Sequence, residues 1–211
     1  ASLGPLTANL SAYLDVGNAI PPMPDLPDYV ASLTGAQANF MRNESLSATG
    51  AGFAFGVSAQ IAPGRKNVFP AFYYELAFGF GFDLMLQDYG NAQCANNHSE
   101  RIGINGWYAS GQAWAFLQGS FGIRVNLAFV QGEFEIMQAA LAAALQAKGP
   151  NPFWAGARVA GSYRILGGLV KGSFRMKVEL GQECIMTGDG GDPMANLNLI
   201  LQTQPDEAQS Q

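Results

Sequence analysis

From Ala48 to about residue 180 the chain alternates large apolar with small or polar residues at a period of two, the mark of strands with one apolar face. Phe53, Phe55, Val57, Ala59 and Ile61 fall on one side. Gly52, Ala54, Gly56, Ser58 and Gln60 fall on the other, before Pro63-Gly64 turns the chain. The next run is unbroken: Phe72, Tyr74, Leu76, Phe78, Phe80, Phe82, Leu84 and Leu86 oppose Ala71, Tyr73, Glu75, Ala77, Gly79, Gly81, Asp83 and Met85. This predicts one long strand, and glycine opposite aromatic at 79 and 81 predicts curvature or the close approach of another backbone. Alternation resumes over 113–129 with Leu117, Phe121, Ile123 and Leu127 opposite Gln112, Gln118, Ser120, Arg124 and Asn126, while Trp114 and Phe116 make the reverse face apolar near its start. Two further runs, 153–166 with Val159 and Tyr163 and 169–180 with Phe174 and Met176, flank Gly167-Gly168, a two-residue hairpin signal. Lys171, Arg175 and Lys177 share the face opposite Phe174 and Met176, and are expected simply to face water.

Other segments depart from this pattern. At 133–148 helix propensity and periodicity conflict: Ala139–Lys148 is alanine-rich and stops at Gly149-Pro150, yet Met137, Ala139, Leu141, Ala143, Leu145 and Ala147 keep period two. A strand is the favoured reading; a helix would make the fold α+β. Pro21, Pro22, Pro24 and Pro27 crowd the N-terminal region, so residues 1–48 read as an irregular, extended arm over the domain. Residues 87–103, containing Asp88, Asn91, Asn96, Asn97 and His98, read as a long polar loop, and 187–211 as loop and polar tail. The fold class is therefore mostly all-β, an antiparallel meander of long amphipathic strands, sandwich-like or barrel-like, with the sheet domain at 49–186. The faces at 72–86 and 113–129 are expected to supply its core. Phe72, Phe78, Phe80, Phe82, Phe121 and Tyr163 are the candidate packing and interaction residues.

Only 13% of residues are charged, against about 25% in typical soluble domains. Such a chain buries surface against other subunits, sits partly in lipid, or is solvated through Ser, Asn, Gln and Gly. The net charge of -5 and the sparse basic residues argue against a nucleic-acid partner, which needs a concentrated basic face. No apolar run reaches the roughly 18–20 residues of a spanning helix, a test that leaves a spanning barrel open. The only cysteines, Cys94 and Cys184, are expected to form one long-range disulfide in an extracytoplasmic compartment, clamping the polar loop to the end of the last strand. The small residues Ala1-Ser2 would suit a chain whose signal peptide has been removed.

Catalytic constellations are weak. With His98 as the single histidine there is no multi-histidine metal site, and Cys94 beside it lacks a helix N-terminus that would lower its pKa. Glu75 and Asp83 share a strand face but stand roughly 26 Å apart at about 3.3 Å per residue, too far for paired-carboxylate chemistry. Glu133 and Glu135 are closer and sit beside a turn, where acids are usually solvated. Thr187–Asp192 has the composition of a calcium loop without the acidic spacing of an EF-hand. Gly79-Phe80-Gly81 matches a phosphate-binding motif by chance, having no following helix. Asn43-Glu44-Ser45 and Asn97-His98-Ser99 fit the short N-glycosylation pattern. No catalytic, cofactor-binding or metal-ligating residue is assigned, and no cofactor is expected.

IGINGWYASGQAWAFLQGSFGIRVNLAF at 102–129 and PNPFWAGARVAGSYRILGGLVKGSFRMKVELGQEC at 150–184, with GAQANFMRNESL at 35–46 and YGNAQC at 89–94, resemble a segment of large, uncharacterised secreted proteins of Bacteroidota. The resemblance implies a cell-surface or outer-membrane-associated location and transfers no activity. The expected function is a noncatalytic structural or assembly module whose partners are other protein subunits, copies of itself or different chains. The alternatives are an outer-membrane barrel component and a barrel-like carrier whose cavity is lined by Phe72, Phe78, Phe121 and Tyr163.

Overall fold

The computed structural model describes residues 7–45, 50–69, 71–95, 97–127 and 130–187. Seven long strands make a single antiparallel meander: β1 (Thr7–Gly17), β2 (Gly52–Ala62), β4 (Phe72–Asp88), β7 (Trp107–Leu127), β8 (Val130–Gly149), β9 (Trp154–Ile165) and β10 (Val170–Gly181), each paired to the next. A short β3 (Lys66–Phe69) also pairs with β4. The sheet does not close, so β1 and β10 are its edges. A small second sheet is built from β5 (Gln93–Cys94), β6 (Asn97–Arg101) and β11 (Met186–Thr187). Its strands β5 and β6 lie in the stretch expected to be a long polar loop.

The ambiguous segment is strand: β8 spans 20 residues and is hydrogen-bonded on both sides, to β7 and β9. Pairing along two edges outweighs alanine's helix preference, which is worth only tenths of a kcal/mol per residue. The β9–β10 hairpin forms as expected but turns through residues 166–169, with Leu166, Gly167 and Gly168 at positive φ, not through a two-residue loop.

The N-terminal region is more ordered than the expected irregular arm. Thr7–Gly17 is an edge strand of the sheet, and two short helices follow, α1 (Asp28–Thr34) and α2 (Phe40–Ser45). The proline-dense stretch between β1 and α1 is neither helix nor strand. Pro27 directly precedes α1, which ends at Gly35 in the left-handed conformation (φ 69°), where only glycine is free of strain.

This region decides which side of the sheet is buried. Leu26, Val30 and Ala36 pack on Trp114, Ala142 and Ala144, and Met23 and Met41 pack on Ala54 and Met85. Small inward residues leave hollows that these side chains and the rings of the sheet fill. The Trp114 ring lies over Gly81 and the Phe116 ring over Gly79, so a Cβ at either glycine would collide with it. The expectation that the faces at 72–86 and 113–129 supply the core is thus corrected. Phe80, Phe82 and Leu117 are 53%, 41% and 48% exposed in the single chain, whereas Tyr73, Met85, Gln87, Ser110 and Gln112 on the opposite side are buried. The physical reason is that the helices dock through hydrogen bonds as well as apolar contact, and only the polar side of the sheet supplies partners.

Candidate functional site

Strand register brings the predicted packing residues together on one open face. Through Phe80 runs a row of Leu10, Ala59, Phe80, Ala115, Ala143, Val159 and Met176, crossing all seven strands. Through Phe82 runs Ala12, Val57, Phe82, Ala113, Leu145, Ala157 and Val178, and through Phe78 runs Ile61, Phe78, Leu117, Leu141, Gly161 and Phe174. Phe72 stacks on Phe121 with ring centroids 5.8 Å apart, and Tyr163 lies across Gly172 of the neighbouring strand. All six candidates share this surface, and as an open face it is not the wall of the ligand cavity that a carrier would need.

The reverse face is chemically opposite. The row through Asp83 reads Tyr13, Gly56, Asp83, Gln112, Gln146, Gly156 and Glu179. The Asp83 carboxylate accepts from the Tyr13 hydroxyl (2.8 Å) and from Gln112 Nε2 (3.1 Å), which also donates to the Pro24 carbonyl (2.7 Å). Burial pushes the Asp83 pKa up against the lowering effect of these two donors, and burial, with Asp83 beside it, pushes the Tyr13 hydroxyl up as well. Gln87 Oε1, Gln112 Oε1 and Gln146 Nε2 are buried without a hydrogen-bond partner among the described residues, a pattern suited to a wet interior.

One irregularity protects this segregation. Phe121 pairs with Met137 but Gly122 pairs with Glu135, so Ile136 is an extra residue, a β-bulge. It shifts the phase of β8. Without it Glu133 and Glu135 would stand on the same side as Met137; with it Phe134 joins that side. Glu133 turns to the reverse face, where it accepts from Arg65 (2.6 Å) and Arg124 (2.7 Å). Hydrogen bonds from Arg124 first and then Arg65 hold the Glu133 carboxyl below its usual range. Arg65 also lies over the Tyr73 ring, 4.2 Å from its centroid. Of the two acids beside the turn, Glu133 is therefore part of a structural ion cluster.

The basic residues of β9 and β10 hold the helical arm. Arg158 donates to the Gly35 carbonyl (2.6 Å), and Arg175 to the carbonyls of Leu33 (2.9 Å) and Ser32 (3.4 Å), at the electronegative end of α1. Lys177 pairs with Glu179 (2.7 Å). Sequence reading expected a solvated face because the partners are backbone groups more than 100 positions away, which carry no signature in the side-chain pattern. A cleft of about 300 Å3 between the helices and β8–β10 is lined by Phe40, Gln146, Trp154, Arg158, Lys177 and Glu179. Of its charged groups, Arg158 holds the arm, and Lys177 and Glu179 pair with each other.

The expected disulfide is present: Cys94 and Cys184 are bonded, with Cα atoms 5.1 Å apart, among Tyr89, Ile102 and Tyr108. It clips β5 to the segment after β10, as the loop-clamping expectation required. A disulfide is consistent with an extracytoplasmic location. No helix of the described residues is long and apolar enough to cross a membrane, which does not bear on crossing by strands. His98 falls in β6, its side chain outside the described residues, and residues 188–192 of the calcium-like sequence lie outside them as well. The chain matches no family model, no curated protein and no solved structure.

Proposed function

We propose that this chain is a noncatalytic β-sheet element of an extracytoplasmic assembly at a cell surface or outer membrane. The observation that carries the reading is the continuous apolar face, uninterrupted across all seven strands, on a sheet whose two edges have no strand partner among the described residues. A single chain leaves both the face and the edges to water, a state that soluble monomers avoid. The disulfide and the resemblance at 102–129 and 150–184 support the location. The side chains that sequence singled out for packing all lie on this face, while the titratable groups with shifted pKa values serve internal contacts.

Sedimentation of the oxidised chain in mild detergent, and chemical cross-linking of the same material, test this. Particles of several chains, or of chain with partner, each larger than the 22.4 kDa protomer, are expected. A monodisperse 22.4 kDa monomer in detergent-free buffer would overturn the assembly reading.

A further inference from the structure

We infer that the outward face is covered by the hydrocarbon of a lipid bilayer, which β1, β2, β4 and β7–β10 cross as part of a closed wall. This rests on the assembly reading, because hydrocarbon tolerates no unpaired strand edge, and β1 and β10 must each pair with a strand outside this sheet.

Three observations select lipid over a protein partner. The first is charge. Every outward position from Phe72 to Leu86 on β4, from Ala155 to Ile165 on β9 and from Val170 to Leu180 on β10 is apolar or tyrosine; the rows through Phe78 to Leu84 stay so to β1, and the row through Tyr74 ends at Lys66 of β3. Glu75, Asp83, Arg158, Arg164, Lys171, Arg175, Lys177 and Glu179 all point the other way, and the bulge at Ile136 keeps Glu133 and Glu135 with them. A protein interface carries about one hydrogen bond per 100–200 Å2 and a polar rim. Here the outward polar groups in these rows are the hydroxyls of Tyr74 and Tyr163 and the ammonium of Lys66, all toward the same end of the sheet.

The second is height. From Ala155 to Ile165 the outward face runs ten residue steps, about 33 Å at ~3.3 Å each; a strand tilted by about 45° then spans roughly 23 Å of membrane normal, against the ~25 Å apolar band of spanning barrels. The edge strands β1 and β10, of 11 and 12 residues, also match the roughly 9–11 residues that a tilted crossing takes.

The third is the position of the amphipathic rings. Tyr74 and Tyr163 stand two residues from the same end of the sheet, at Phe72 and Ile165, and Trp107 opens β7 at the other end. Spanning barrels carry aromatic girdles at both boundaries for the same reason: a ring there is apolar in body and polar at its tip.

The test uses the full oxidised chain in dioleoylphosphatidylcholine vesicles, with a nitroxide attached at Ala115→Cys on the outward face or at Ser162→Cys on the reverse face. Paramagnetic accessibility is then read by electron spin resonance. The label at 115 is expected to be relaxed severalfold more by oxygen than by a water-soluble nickel chelate, and the label at 162 to show the reverse preference. A label at 115 shielded from both reagents in a particle that is still oligomeric would overturn the lipid inference in favour of a protein partner. A label at 115 open to nickel would overturn it in favour of water. Because oligomeric size is measured on the same samples, failure of the assembly reading is seen separately. Should Ala115→Cys fail to fold, a label at Val159→Cys in the same row gives the same reading.

Discussion

The ammonium of Lys148 on β8 lies 3.1 Å from a carboxylate oxygen of Glu44 on α2, with no exposure of its own side chain. Glu183 approaches the same nitrogen at 3.3 Å, and the rings of Phe40 and Trp154 lie 4.2 and 5.3 Å from it. One cation thus ties the helical arm and the segment beside the disulfide to a central strand.

The two sides of that tie are not equivalent. Lys148→Met leaves two carboxylates that still reach water, and is expected to lower stability by about 1–3 kcal/mol. Glu44→Gln combined with Glu183→Gln leaves a buried ammonium without a counter-charge, and is expected to cost about 3–5 kcal/mol. Denaturant titration of both variants checks the order; equal losses would show that the charge is not the organising contact.

Substitutions on the two faces are expected to separate folding from assembly. Phe80→Asp places a carboxylate where the single chain is half open, so secondary structure and the Cys94–Cys184 bond are retained while oligomers and vesicle association are lost. Ala142→Asp places the same group beneath α1 among Leu26, Val30 and Trp114, where an unpaired charge costs several kcal/mol, and is expected to unfold the arm and much of the sheet. Circular dichroism with sedimentation distinguishes the two outcomes.

Periodicity made the two faces legible residue by residue, because side-chain phase in a strand is a local property. It did not say which face is buried. Phe80 outranks Gln112 on any hydrophobicity scale, but the choice was made by the Gln112 donor to Pro24, by Arg158 and Arg175 at the end of α1, and by hollows at alanine and glycine that only the folded arm fills. The disulfide was readable from an even cysteine count. The bulge at Ile136 was not, since which residue between Glu135 and Met137 goes unpaired is decided by the partner strand.

Two carboxyls are expected to give pH dependences of opposite sign. Asp83 binds its proton more tightly folded than unfolded, so its contribution to stability falls as pH rises from the unfolded carboxyl value, about 3.9, through the raised folded value. Glu133 binds its proton less tightly folded, so its contribution is present above the unfolded value and is lost as pH falls through the lowered folded one. Thermal melts from pH 3 upward of Asp83→Asn and Glu133→Gln should each remove the corresponding slope, and unchanged slopes would reject the assignment.

Reduction of the disulfide, or Cys184→Ala, opens a closure of 90 residues. Loop-closure entropy puts the loss at about 4–5 kcal/mol. The effect should fall first on β5, β6 and β11, whose amides are expected to exchange before those of β7 and β8 in hydrogen-exchange measurements.

The extra residue at Ile136 gives the sheet a frame in the sense that a reading frame has one. Inserting or deleting a single residue elsewhere in β4, β7 or β9 would carry acidic or basic side chains onto the apolar side from that point to the next turn. At 136 β8 already holds a compensating step. Deleting Ile136 would leave Glu135 opposite Gly122 and Glu133 opposite Arg124, so here, unlike elsewhere in the strand, a residue can be lost with both faces kept.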